Sequence, residues 1–219
     1  MLVTPVQFIA DINPKKDFWK LAVRVKDKWV VVKDGKEHLE MVIVDSKGDD
    51  IHVVIPTEYK AIFDIILQED NTYTLSNFQV GKNDLLFKAS DHKYRLKWTG
   101  GTTAVDVNVH NIPHPILKMK PLAEIISGKW RSDMLYRELC YWCGSRYGIL
   151  PSSRYDITLN CTLWESYAGT FIRYNNERKE QGPVIVLLKY GKVKEEGLCF
   201  FMYRRVHVLI CYSSHFPKL

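Results

Sequence analysis

Between Trp19 and Pro56 the chain reads WKLAVRVKDKWVVVKDGKEHLEMVIVDSKGDDIHVVIP, three strand signals in succession with polar turns between them. Leu21, Val23 and Val25 alternate with Ala22, Arg24 and Lys26, the period-two pattern of a half-buried strand, and predict a second face that is wet and basic. Lys33-Asp34-Gly35-Lys36 then breaks the alternation with a turn. A second run, Leu39 to Val44, is separated from Ile51 to Ile55 only by the polar segment DSKGDD. A loop that short joins antiparallel neighbours and cannot carry a crossover, so the stretch predicts an antiparallel meander.

After Pro56 the period changes. In TEYKAIFDIILQ, residues Tyr59, Ile62, Phe63, Ile66 and Leu67 fall on one helical face, and Thr57 is placed to cap the helix. Glu69-Asp70-Asn71 stops it, and TYTLSNFQV returns to alternation with Tyr73, Leu75 and Phe78 on one side. Gly81-Lys82-Asn83-Asp84 turns the chain again. Tyr94–Trp98 and Ala104–Val109 then read either as one strand broken at Gly100-Gly101 or as two short ones, the glycines permitting a bulge or bend. Five strands with one helix between the third and fourth is the order of a closed Greek-key barrel, the OB-fold, and closure removes the edges that so many antiparallel strands would leave. An SH3-like barrel also has five strands; the helix position favours the OB-fold.

The prolines of Ile112-Pro113-His114-Pro115 make a stiff connector, so the reading is a first OB-fold domain over 1–112, a linker over 113–119 and a second domain over 120–219. Beyond the linker, PLAEIISG is a short lead-in, and Lys129 to Ser153 fits neither the helical nor the strand template. RYDITLNCTLW alternates like a strand, Glu165 to Tyr174 has the makings of a short helix, and PVIVLLKYGKVK is a buried strand with a basic end. The class is therefore all-β with minor α: tandem five-stranded OB barrels, the second incomplete or divergent.

At 219 residues, 46% hydrophobic and 26% charged, the chain can bury one large core or two small ones. No apolar run approaches the ~18 residues of a membrane span, and the N-terminus lacks the basic start of a secretory signal. Five cysteines are too few for a disulfide framework, which with the preceding points suggests a cytosolic or nuclear protein. The net charge of +6 is unevenly placed: residues 1–110 hold 15 Lys and Arg against 16 Asp and Glu, residues 111–219 hold 16 against 9. The basic half could attract a polyanion. Cys140-Tyr141-Trp142-Cys143 has the spacing of half a zinc site, but no second pair follows at a suitable distance, and His110 and His114 flank the linker without a partner motif. With no nucleophile, phosphate-binding or paired-carboxylate motif, neither an enzyme nor a metal or other cofactor is expected.

The runs WKLAVRVKDKW, LEMVIVDSKGDDIHVVIP, YTLSNFQVGKN and HKYRLKW in the first domain, and PLAEIISG, CTLWESYA and GPVIVLLKYGKVKEEG in the second, resemble the plant-type replication protein A large subunit family, tandem OB-fold proteins that bind single-stranded DNA. The resemblance covers most of the chain. It implies a non-catalytic nuclear protein of DNA replication, repair or recombination, with single-stranded DNA and other subunits of such an assembly as partners. It places base-stacking aromatics at Tyr94 and at Trp164 of the CTLW block, and a groove arginine at Arg24, near Trp29. Lys33 and Lys36 in the first turn, and Lys88, Lys93 and Lys97 near the last strand, lie where the loops flanking an OB groove would hold phosphates. Two positions depart from the family pattern: an aromatic expected after the third strand falls at Ile55, and one expected after the GKVK strand falls at Glu196. Loss of stacking aromatics keeps open a protein-docking module as the rival reading, with single-stranded RNA as a further possibility in the same groove.

Overall fold

Strand β1 (Lys20–Lys33) is 14 residues long because it serves two neighbours. Its first half, Lys20–Arg24, pairs antiparallel with β4 (Thr72–Ser76), and from Arg24 to Lys33 it pairs with β2 (Lys36–Val44). The register shifts between Val25 and Asp27, a bulge that lets one strand bend from one half of the sheet into the other. The β1–β2 hairpin closes through Asp34 and Gly35, both at positive φ (51° and 72°), which is the geometry an Asp-Gly pair favours in a two-residue turn. This computed structural model describes residues 5–114, 120–142, 149–152, 157–162, 165–178, 184–194 and 199–202, and separates into two compact units, 1–116 and 117–219.

In the first unit β3 (Asp50–Ile55) follows β2 antiparallel, and α1 (Thr57–Ile66) leads into β4. Then come β5 (Gln79–Lys82), β6 (Tyr94–Lys97), which runs parallel to β3, and β7 (Thr103–Asp106). The sheet order is β5-β6-β3-β2-β1-β4-β7. Because β4 and β5 are one strand interrupted at Asn77 and Phe78, and β6 and β7 one strand interrupted after Lys97, the two ends of that order belong to the same pair of strands. The sheet thus curls on itself as a mixed OB barrel. Asn77 makes the first interruption at φ 60°, and its carbonyl accepts from the hydroxyls of Thr99 and Thr102 at 3.1 and 3.0 Å, tying the two breaks together.

Alternate residues of three strands fill the barrel: Leu21, Val23 and Val25; Leu39, Met41 and Ile43; Ile51, Val53 and Ile55. Ile9 and Ile12, around a one-turn 3-10 helix (Ile9–Asp11), join this core. The Ile9 N–H donates to the buried Asp45 carboxylate at 2.8 Å, so the loop between β2 and β3 holds the N-terminal segment in place.

Three expectations are corrected. The helix turns Tyr59, Phe63 and Leu67 to the core, while Ile62 and Ile66, assigned to that face, are 58% and 41% exposed; a narrow i, i+4, i+8 stripe covers this end of a small barrel. Thr57 does not cap it, since Pro56 occupies the cap position without a side-chain bond. The second face of early β1 is not wet: Arg24 and Lys26 are both buried, the arginine donating to the carbonyls of Asp70 and Ile112 (2.9 Å to the latter) and the lysine pairing with Asp50 at 2.9 Å.

The second unit begins with α2 (Leu122–Ile126) and continues through β8 (Leu135–Trp142), β9 (Ile149–Ser152), β10 (Ile157–Thr162), α3 (Glu165–Glu177), β11 (Val184–Lys194) and β12 (Cys199–Met202). Residues 129–153, which match neither sequence template, supply β8 and β9. The sheet order is β8-β11-β12-β10-β9, with β10 parallel to β12 and β11 antiparallel to both β8 and β12. This repeats the first unit's scheme, with the helix again between the third and fourth strands. Among the described residues no helix is long and apolar enough to cross a membrane.

Candidate nucleic-acid interface

The inward residues of β2 and β3 fix by alternation which residues face outward, and the register lines these up across four strands. One row runs Lys97 (β6), Val54 (β3), Glu40 (β2), Trp29 (β1); the next runs Arg95, His52, Val42, Asp27. After the bulge at Val25 and Asp27, Lys28 and Val30 take the inward side, and this is what places Trp29 on the outer wall.

The centre of this wall is polar yet closed to solvent. The Trp29 indole N–H donates to Glu40 Oε2 at 3.2 Å, and its ring meets His52 edge-on, with centroids 5.5 Å apart. His38 Nε2 lies 2.8 Å from Glu40 Oε1. His52 Nε2 lies 3.3 Å from Glu40 Oε2, in ion-pair reach but outside hydrogen-bond geometry, and the His52 side chain is fully buried. Burial alone would push the Glu40 carboxyl up; the imidazoles of His38 and His52 together outweigh it and hold the group at about 2. Glu40 is therefore an anion across the physiological range. Its Oε1 is engaged by the His38 imidazole and its Oε2 by the Trp29 indole, with His52 in ion-pair reach; among the described residues no group of three or more His, Cys, Asp or Glu is placed to hold a metal ion.

The segment between β5 and β6, residues 83–93, is tied to this wall at β3 and β6. Its base is closed by the Asn83 N–H on the Lys93 carbonyl at 2.9 Å. The Asn83 side-chain amide donates to the carbonyls of Ser90 and His92 at 3.3 and 3.0 Å. The segment then reaches β3 twice, through the Ser90 hydroxyl on the Asp50 carbonyl at 2.8 Å and the Ala89 N–H on His52 Nδ1 at 3.4 Å. It reaches β6 through Asp84, 2.8 Å from Arg95.

The residues singled out from sequence divide into three groups. Lys33 and Lys36 are exposed at the hairpin tip, and Lys93 and Lys97 are exposed at the two ends of β6. Tyr94 is half-buried and packs against the core, with the Lys93 ammonium 4.9 Å from its ring centroid; Lys88 is half-buried in the segment 83–93; Trp29 is 5% exposed. Arg24 is a buried brace between loops, and Ile55 points into the core, so neither lies on the wall's surface. Trp164, Glu196 and Cys143 lie outside the described residues, and Cys140 falls within β8. Sequence reasoning missed His38, Glu40, His52 and Arg95. Their signal was present: once Leu39 and Met41 are inward, His38 and Glu40 must be outward.

A family model described as a domain of unknown function, DUF223, matches residues 10–128. No curated protein matches the sequence. Among solved structures, a replication protein A heterotrimer bound to single-stranded DNA is similar at 16% identity and a TM-score of 0.55, over 86% of this chain and 47% of that one. The chain thus spans about half the length of that relative, and the likeness is one of fold. DNA-binding domain A of S. cerevisiae replication protein A is similar at 18% identity and a TM-score of 0.39, over 49% of this chain and 98% of that one. A murine DNA-binding protein solved with double-stranded DNA is similar at 14% identity and a TM-score of 0.47, over 91% and 98%.

Proposed function

The chain belongs to the DUF223 family, and from the outer wall of its first barrel we propose that it binds single-stranded DNA without catalysis, as a component of DNA replication, repair or recombination in the nucleus, alone or with other subunits. The observation that carries this reading is the outer wall of β1, β2, β3 and β6. It is the face on which OB barrels take oligonucleotides, it carries an aromatic ring at Trp29, and it is bordered by exposed Lys33, Lys36, Lys93 and Lys97. The wall thus brings together the two kinds of group a single strand requires, cations that track phosphates and a flat ring that, once uncovered, accepts bases of any sequence. A duplex has its bases paired inside and cannot offer them to a ring without unpairing.

The test is a fluorescence-anisotropy titration of the whole protein with labelled oligo-dT, oligo-rU and a duplex of equal length at one salt concentration. Tightest binding to oligo-dT is expected, with the duplex markedly weaker. Equal affinity for duplex, or tighter binding to oligo-rU, would redirect the assignment to those ligands, and absence of binding to all three would favour the protein-docking module.

A further inference from the structure

We propose that the segment 83–93 is an autoinhibitory strap, and that a single strand reaches the part of the wall around His52 and Arg95 by displacing it. This deepens the single-strand reading and rests on it.

The strap is tied to the part of the wall that β3 and β6 form, at Asp50, His52 and Arg95. Val42 and His52 are fully buried and Asp27 and Trp29 nearly so, although register and alternation put all four on the outside of the barrel. The ties from strap to wall named above are polar and local: Ser90 to the Asp50 carbonyl, Ala89 to His52, and Asp84 to Arg95. They are of the kind that water or phosphate replaces readily, an arginine paired with a 70%-exposed aspartate above all. Leu86, in the middle of the strap, is 76% exposed, so this apolar side chain does not anchor the closed position.

The closed position also leaves polar atoms unsatisfied. His52 Nε2 and Asn83 Oδ1 are buried without a hydrogen-bond partner. In the closed position the Ala89 N–H donates to His52 Nδ1. Asn83 belongs to the strap itself, so lifting the strap can return its Oδ1 to water and offset part of the cost of opening. Opening also frees Arg95 from Asp84 at the edge of the row that holds His52, adding a cation where phosphates would run.

The first experiment uses the unaltered protein. Amide exchange at Ala89 is followed by hydrogen–deuterium exchange and NMR or mass spectrometry, with and without saturating oligo-dT. Displacement predicts faster exchange at Ala89 with oligo-dT bound; unchanged or slower exchange overturns the proposal. The second uses Ser90→Ala, which removes a tie outside the wall itself. If a closed strap limits access, loss of one hydrogen bond raises the competent fraction and tightens oligo-dT binding by up to about fivefold. Weaker or unchanged binding overturns the proposal. If the wild type binds oligo-dT while Ala89 exchange slows, the strap idea falls and the single-strand reading stands. If neither protein binds, both fall.

Discussion

Trp29 and Glu40 are register partners across β1 and β2, and the indole N–H of one donates to the carboxylate of the other at 3.2 Å. A single cross-strand pair thus joins an aromatic ring to a mostly buried charge, and the same carboxylate lies against His38 and His52 at 2.8 and 3.3 Å. Wall chemistry and barrel stability are therefore coupled through Glu40.

Acid should expose that coupling. The folded-state carboxyl of Glu40 is held at about 2 against an ordinary 4.5, so its contribution is complete above pH 4.5 and is lost as the pH falls toward 2. The difference corresponds to roughly 3 kcal/mol. Urea unfolding of the wild type at pH 6 and at pH 3, which is still above the folded-state value, should show about 2 kcal/mol of that loss, and Glu40→Gln should flatten that acid limb while lowering stability at pH 6. A variant whose acid limb is as steep as the wild type's would show that other carboxylates account for it.

A second stability test concerns Lys26 and Asp50, whose side chains are 6% and 17% exposed and whose charged atoms lie 2.9 Å apart. Removing one partner leaves a buried charge without compensation. Lys26→Met alone should cost about 3–5 kcal/mol in chemical denaturation, whereas Lys26→Met combined with Asp50→Leu should recover most of it. Equal losses in the single and double variants would mean the pair contributes packing and not charge.

Trp98 is 1% exposed and meets Phe63 of α1 edge-on, with ring centroids 5.7 Å apart and planes at 85°. It joins the break between β6 and β7 to the helix and to the core. Trp98→Ala should destabilise the first unit by about 3–5 kcal/mol, and Trp98→Phe by visibly less, because the phenyl ring keeps most of the packing against Phe63. Thermal unfolding followed by circular dichroism separates the two.

The barrel was legible because three strands alternate cleanly: Leu39, Met41 and Ile43 against Ile51, Val53 and Ile55 leave one possible inner face, and the period switch at Pro56 marks the helix. What alternation cannot show is a bulge. The extra residue at Lys26 reverses the phase of β1 after Val25, so Trp29 goes out and Lys28 goes in, and neither follows from reading Leu21, Val23 and Val25 onward. Arg24 misled for a related reason. Its position on the strand is outward, but loop carbonyls at Asp70 and Ile112, distant in sequence, close over it. The strap was invisible in the same way, since residues 83–93 have no periodicity and their ties run to Asp50 and His52, more than thirty residues earlier.

The last prediction separates the two forces a single-strand site must combine. Lys93 and Lys97 are exposed at either end of β6, where they can follow a phosphate chain. Each that neutralises a phosphate releases counterions, so Lys93→Ala with Lys97→Ala should flatten the slope of log K against log salt by roughly 0.7 for every phosphate left unneutralised, whatever the base sequence. An aromatic ring releases none. Trp164→Ala, at the position to which the sequence resemblance assigns base stacking, should lower affinity by about 1–3 kcal/mol with the slope nearly unchanged. Oligo-dT titrations of the wild type and both variants at several salt concentrations measure the two effects independently. A lysine variant that loses affinity without a change of slope would place Lys93 and Lys97 off the phosphate path, and a Trp164 variant that binds like the wild type would confine the site to the first barrel.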